Sequence, residues 1–207
     1  MNTKILSRIA LLAIVALSLA VAGCGSSPTA KFYVLSAVKT QEAPGNVASQ
    51  VEKPSLAIGP VEIPDYLDRP QIVTRTTQNE LFISEFDRWG GSIKDDVERV
   101  LVENLGALLA SDGIVVFSWN RRLPASYRMP VKVLRFDADP GGSVPLKVLW
   151  SVGVPDGRSV LLMRESTISQ SLSGRDYGAI VAAMSQALGA MSQEMAAGIK
   201  SVVLEKK

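Results

Sequence analysis

The sequence predicts a single α/β domain, a mixed and largely antiparallel sheet with packed helices, preceded by a signal peptide. Three observations predict it. The middle of the chain is dominated by segments with the two-residue alternation of strands. Two longer segments, one central and one at the C-terminus, carry apolar residues at helical spacing. The first 23 residues have the layout of an export leader.

The leader is read from charge and length. Met1 to Arg8 carries Lys4 and Arg8 and no acid, and Ile9 to Ala22 is an almost unbroken run of Leu, Ala, Val and Ile. A membrane-spanning helix needs about 20 apolar residues, more than this run supplies before the Gly23-Cys24-Gly25 break. Cys24 is the only cysteine of the chain, and histidine is absent, so a metal site or a thiol nucleophile lacks its usual partners. Val21-Ala22-Gly23-Cys24 resembles the bacterial lipobox. That resemblance implies cleavage before Cys24, diacylglycerol on its sulfur and acylation of the new amino group. Two or more chains, at about 0.8 kcal/mol per buried methylene, hold such an anchor in the bilayer. Gly25, where an aspartate would imply inner-membrane retention, implies the periplasmic face of the outer membrane. The organisation expected is a signal peptide over 1–23, a lipidated tether over 24–31 and a folded domain over 32–207. The tether from Gly25 to Lys31 reaches at most roughly 25 Å, so the body sits near the membrane.

Removing the leader takes away two of the 22 basic residues and none of the 20 acidic ones, leaving net charge near zero. A nucleic-acid binder would show a basic excess, and none is present. The remaining 184 of the 207 residues, without a second cysteine for an intramolecular disulfide, are enough for one domain with a sizeable core.

Along the domain, Lys31 to Leu35 reads as a first strand and Thr40 to Pro54 as a long disordered loop. Leu56 to Ile63 is a strand interrupted at Gly59-Pro60, and Ile72 to Thr76 is another. The prolines at 60, 64 and 70 call for edges, bulges or bends. Leu81 to Phe86 alternates as a strand does. Ser92 caps a helix with Asp95 in its first turn and Ile93, Val97, Val100, Leu101, Leu105 and Leu108 on one face, ended by Asp112-Gly113. Ile114 to Trp119 is a buried strand, and Arg121 to Pro124 an exposed connection. Tyr127–Asp137, Val144–Val154 and Ser159–Leu172 form an antiparallel meander, joined by turns whose Gly and Asp accept positive φ. Asp176 caps a last helix with Tyr177, Val181, Met184, Leu188, Met191 and Met195 on one face. Its other face is Gly, Ala, Ser and Gln with one charge, Glu194, and is buried either against the sheet or between copies of the chain in a homo-oligomer.

Catalytic and cofactor signatures are missing: there is no histidine triad, zinc site, Walker-type phosphate loop or GxSxG elbow. No cofactor or metal is therefore expected. Asp95, Asp96 and Glu98 are a conceivable carboxylate pair, yet acids at a helix start stabilise the positive end of its dipole. Arg164-Glu165 fits a solvated strand face, and Asp65, Asp68 and Arg69 fit turn chemistry.

In order, "KFYVL" after the lipobox, "IGPVEIPDYLDRPQIVTR" and "FDRWGGSIKDDVERVLVENL" resemble the ABC-type transport auxiliary lipoproteins associated with MCE-domain lipid transport systems. The resemblance runs from Lys31 to Leu204 and is strongest from Ile58 to Leu105. It implies a non-enzymatic outer-membrane lipoprotein that works with a periplasm-spanning MCE-domain protein and, through it, an inner-membrane permease and ATPase, moving phospholipid. The expected role is a docking adaptor; the alternative is a lipid carrier with its own apolar cavity between the meander and the Met-bearing helix. Arg88 and Trp89 are candidate partner-surface residues, Trp and Arg being common hot spots. The other reading of Trp89 packs it beneath the helix that begins after Ser92, with Gly90-Gly91 turning the chain.

Overall fold

The computed structural model describes residues 29–38, 53–120, 123–139 and 141–204. The leader, Cys24, most of the 40–54 loop and the Arg121-Arg122 pair lie outside the described residues. Among the described residues eight strands and two α-helices follow in the order β1 (Lys31–Tyr33), β2 (Ser55–Glu62), β3 (Gln71–Thr77), β4 (Glu80–Trp89), α1 (Ile93–Leu109), β5 (Val115–Ser118), β6 (Tyr127–Phe136), β7 (Ser143–Gly153), β8 (Val160–Ser171) and α2 (Tyr177–Val203). The expected mixed sheet is divided in two, with strand orders β1-β4-β3 and β5-β2-β6-β7-β8. The long β6-β7-β8 ladders are antiparallel, whereas β2 runs parallel to both β5 and β6 and β1 runs parallel to β4.

Local chemistry sets most boundaries. Ser92 accepts a hydrogen bond from the Asp95 amide and Asp176 one from the Ala179 amide, so both helices start at the predicted caps. A 3-10 turn over Ala110–Asp112 ends α1 at Gly113, which adopts φ 71°. The meander turns place Gly142 and Gly157 at φ 80° and 73°, where other residues are strained. β2 passes its Gly59-Pro60 interruption with a register shift between Ile58 and Val61, and so remains an inner strand despite the proline.

Two strands differ from the sequence reading. β1 stops at Tyr33 because Val34 to Val38 leaves the sheet to lie along the helices, burying Leu35. β5 is partly exposed rather than buried, since it pairs only with β2 and forms the sheet edge.

Along β7 every second residue, Val144, Leu146, Val148, Trp150 and Val152, is buried under the helix layer. α1 and α2 pack side by side, α1 over β2 and β5 and α2 over β7 and β8. The small-residue face of α2 lies inside the subunit: Ala183, Ala187, Gly189, Ser192, Ala196 and Gly198 are all buried. Contact is close at Gly198, where an added Cβ would lie 2.7 Å from Trp150 Cη2 and 3.0 Å from Leu162 Cδ2. Trp150 Nε1 donates to Ser166 Oγ at 3.0 Å, which donates to Glu194 at 2.5 Å, so the lone charge of that helix stretch is tied to β8. Arg164, 3.7 Å from the same carboxylate, completes the tie.

Two helical glycines therefore respond oppositely to alanine. Gly198→Ala overpacks the Trp150 contact and should lower the unfolding free energy by about 1–3 kcal/mol. Gly106→Ala in α1, whose Cβ would meet nothing within 4 Å, should raise it by about 0.5–1 kcal/mol. Urea unfolding of the two variants measures both.

Candidate functional site

The described chain opens at Thr29, and its first stretch is held from both sides. β1 pairs with the end of β4, matching Lys31 with Asp87, Phe32 with Arg88 and Tyr33 with Trp89. The Tyr33 hydroxyl donates to Asp87 at 2.9 Å, and the Gly90 amide donates to the Tyr33 carbonyl at 2.8 Å. Burial, followed by this bond to Asp87, raises the Tyr33 phenol above its ordinary pKa.

Beyond Tyr33 the segment is fastened to the helices. The Leu35 amide donates to Asp96 Oδ2 at 2.8 Å, and Arg99 Nη2 donates to the Leu35 carbonyl and to Asp96 Oδ1, both at 2.6 Å. Arg99 also reaches Glu103 at 3.0 Å; its bonds to Asp96, ahead of those to Glu103, raise the guanidinium pKa further and keep it charged. The Ser36 amide donates to Ser185 Oγ at 3.1 Å and the Val38 amide to Asn104 Oδ1 at 2.9 Å. Buried Asn104 in turn donates to buried Ser192 at 3.3 Å, linking the entering segment to both helices. The Asp95-Asp96 pair is thereby accounted for: Asp96 clamps the incoming backbone, and Asp95, exposed in the first turn, donates its amide to the capping Ser92 hydroxyl.

Trp89 is 5 % exposed and belongs to the core, so the packing alternative describes its side chain. Arg88 lies on the opposite side of β4, part-exposed, and donates to the Glu85 carbonyl at 3.3 Å. Among the other polar residues singled out, Glu165 pairs with Lys147 at 2.8 Å, and the Asp68 amide donates to the Asp65 carbonyl in the expected turn. Among the described residues no three His, Cys, Asp or Glu side chains are grouped to hold a metal ion, and no helix is long and apolar enough to cross a membrane.

One polar centre is invisible in the sequence. Asp137, fully buried at the end of β6, accepts from Tyr66 at 2.7 Å and Arg75 at 2.6 Å, with Arg135 at 3.6 Å. Beside it the Arg75 amide donates to the Ala138 carbonyl at 2.9 Å, and Thr74 bridges to Ala138. This node joins the two sheets. Asp137 opens "DADPGGS", where an aspartate reads as ordinary turn chemistry; its only signal was its place at the end of a strongly alternating strand.

Surface concavities are open. An apolar cleft of about 930 Å³ lies beside Trp119 and Arg128, and a more polar one of about 740 Å³ beside Arg75 and Arg175. Between the meander and the last helix, where a carrier needs its apolar cavity, Met184, Met191 and Met195 are buried in the packed core.

Polar side chains of both helices hold the entering segment against a filled α/β core. The model of the ABC-type transport auxiliary lipoprotein component family matches residues 33–196, from β1 through most of α2. The chain belongs to this family. Its members are auxiliary lipoprotein components of ABC-type transport. Among solved structures, an uncharacterized protein is similar at 21 % identity and TM-score 0.69, covering 83 % of this chain and 99 % of its own. A DUF330 protein from Xanthomonas campestris is similar at 22 % identity and TM-score 0.66, covering 86 % and 97 %. Both share the fold. No curated protein matches the chain.

Two predictions test this region. Asp96→Ala should cost about 1.5–3 kcal/mol, the worth of hydrogen bonds to a charged group. Hydrogen exchange at the Leu35 and Val38 amides should accelerate while exchange in β7 shifts less. Burial, then the bond to Asp137, pushes the Tyr66 phenol up to about 12 from 10. A folded-state pKa above the unfolded one means that this stabilisation is complete below pH 10 and is lost as pH rises toward 12. Tyr66→Phe should remove that part of the alkaline destabilisation, measured by urea unfolding across this range.

Proposed function

We propose that the chain is an outer-membrane-anchored, non-catalytic docking adaptor of an MCE-domain phospholipid transport system. The observation that carries the reading is the family match over residues 33–196. In this reading residues 1–23 are removed as a signal peptide, Cys24 carries the acyl chains and 24–31 tether the domain to the periplasmic face of the membrane. The domain then receives the periplasm-spanning MCE-domain protein, which connects it to an inner-membrane permease and ATPase. Energy for transport comes from that ATPase, and phospholipid passes the adaptor without residing in it. The filled core between α2 and the meander supports an adaptor over a carrier, because a carrier needs an apolar volume of its own. The clamp on Val34 to Val38 supports a rigid mounting, so the short tether fixes the height of the domain over the bilayer.

Cross-linking in cells followed by pull-down tests this, comparing native Cys24 with the same mature chain secreted behind a cleavable leader. An MCE-domain protein is expected with both forms, and only the native form should sediment with membranes. Recovery of phospholipid without such a partner would replace the adaptor by a carrier.

A further inference from the structure

Among the described residues, six of the eleven exposed large apolar side chains lie on β1, on β4 or in the segment just past β1. Three of the five phenylalanines, Phe32, Phe82 and Phe86, are exposed on β1 and its neighbour β4, and Val34 joins them at 57 %. Phe32 is 67 % exposed, the highest value among the large apolar side chains that are described. Register and burial sort the faces. Phe32 pairs with Arg88, while their neighbours Tyr33 and Trp89 are turned toward the core. Phe86 is exposed two residues before Arg88, in the stretch where the register of β4 against β3 shifts. The entry thus exposes Phe32, Phe86 and, just past the strand, Val34, with Arg88 paired beside Phe32. Apolar surface concentrated in this way marks an interaction site.

We infer that this face rests in the headgroup region of the bilayer that holds the acyl anchor, so that its ligand is a lipid surface. The inference rests on the lipoprotein reading of Cys24. From Cys24 to Phe32 the chain spans under roughly 30 Å even when fully extended. A domain of this length is about 40 Å across. The tether is too short to bring the far side of the body to the membrane, and it ends at the strand that bears the exposed rings. Phenylalanines beside a cation suit the interface: rings enter the headgroup and acyl boundary while the guanidinium stays among phosphates.

The test exploits the single cysteine. With the Cys24 sulfur acylated, Phe86→Cys adds one free thiol for an environment-sensitive fluorophore, and Met163→Cys on exposed β8 gives a control. The full acylated chains are reconstituted in vesicles of phosphatidylethanolamine and phosphatidylglycerol. A probe at 86 should be blue-shifted and quenched about twofold or more by lipids spin-labelled near the headgroup, as for a group sunk about 5–10 Å into the interface, with the probe at 163 unchanged. Flotation with an unquenched, polar probe at 86 overturns the proposal alone. A blue shift without lipid quenching overturns it in favour of a protein contact. Loss of flotation overturns the Cys24 anchor and the proposal with it.

Discussion

Close approach of the C-terminal helix to the five-stranded sheet is the constraint on which the rest of the structure depends. α2 runs from Tyr177 to Val203, and its core face is built from Ala, Gly and Ser as much as from Met and Leu. Large residues at those positions would hold the helix away from β7. Instead Gly198 sits against the Trp150 ring, and Trp150, Ser166 and Glu194 form a hydrogen-bonded chain across the contact. Because α2 lies low, α1 can pack beside it over β2 and β5, and the entering segment can lie against both. Leu35 closes that layer from outside.

The segment that opens the described chain is mounted on this layer. Here the backbone of residues 35–38 is gripped by Asp96, Arg99, Asn104 and Ser185, four polar side chains from two helices. Their polar chemistry is spent on holding that backbone. Asp137 is likewise spent on the fold: its buried charge is matched by Arg75 and Tyr66 and ties the small sheet that bears β1 to the large one. A charge buried in this way is tolerated only with such partners.

The elements themselves were legible because their signals are local. Caps at Ser92 and Asp176, glycines at positive φ in the meander turns and the alternation of β7 act within a few residues of themselves. The candidate site was legible in part. Asp96 was visible as a helix-start acid, but its partner Leu35 lies 61 positions away and carries no mark of the pairing. Arg88 and Trp89 are adjacent in "FDRWGG", and the sequence left open which of them meets solvent. The pleat decides it, since neighbours on a strand take opposite faces.

What the sequence by itself determined is the order and kind of the elements, the antiparallel meander, the family and the expected anchor at Cys24. What only the tertiary structure decided is the division into two sheets, the parallel partners of β2, the early end of β1, the edge position of β5 and the burial of Trp89 and Asp137. The physical reason is one of range. Capping, turn geometry and hydrophobic period are satisfied by neighbours along the chain, whereas strand partners and buried charge pairs are chosen by which distant surfaces can be desolvated together.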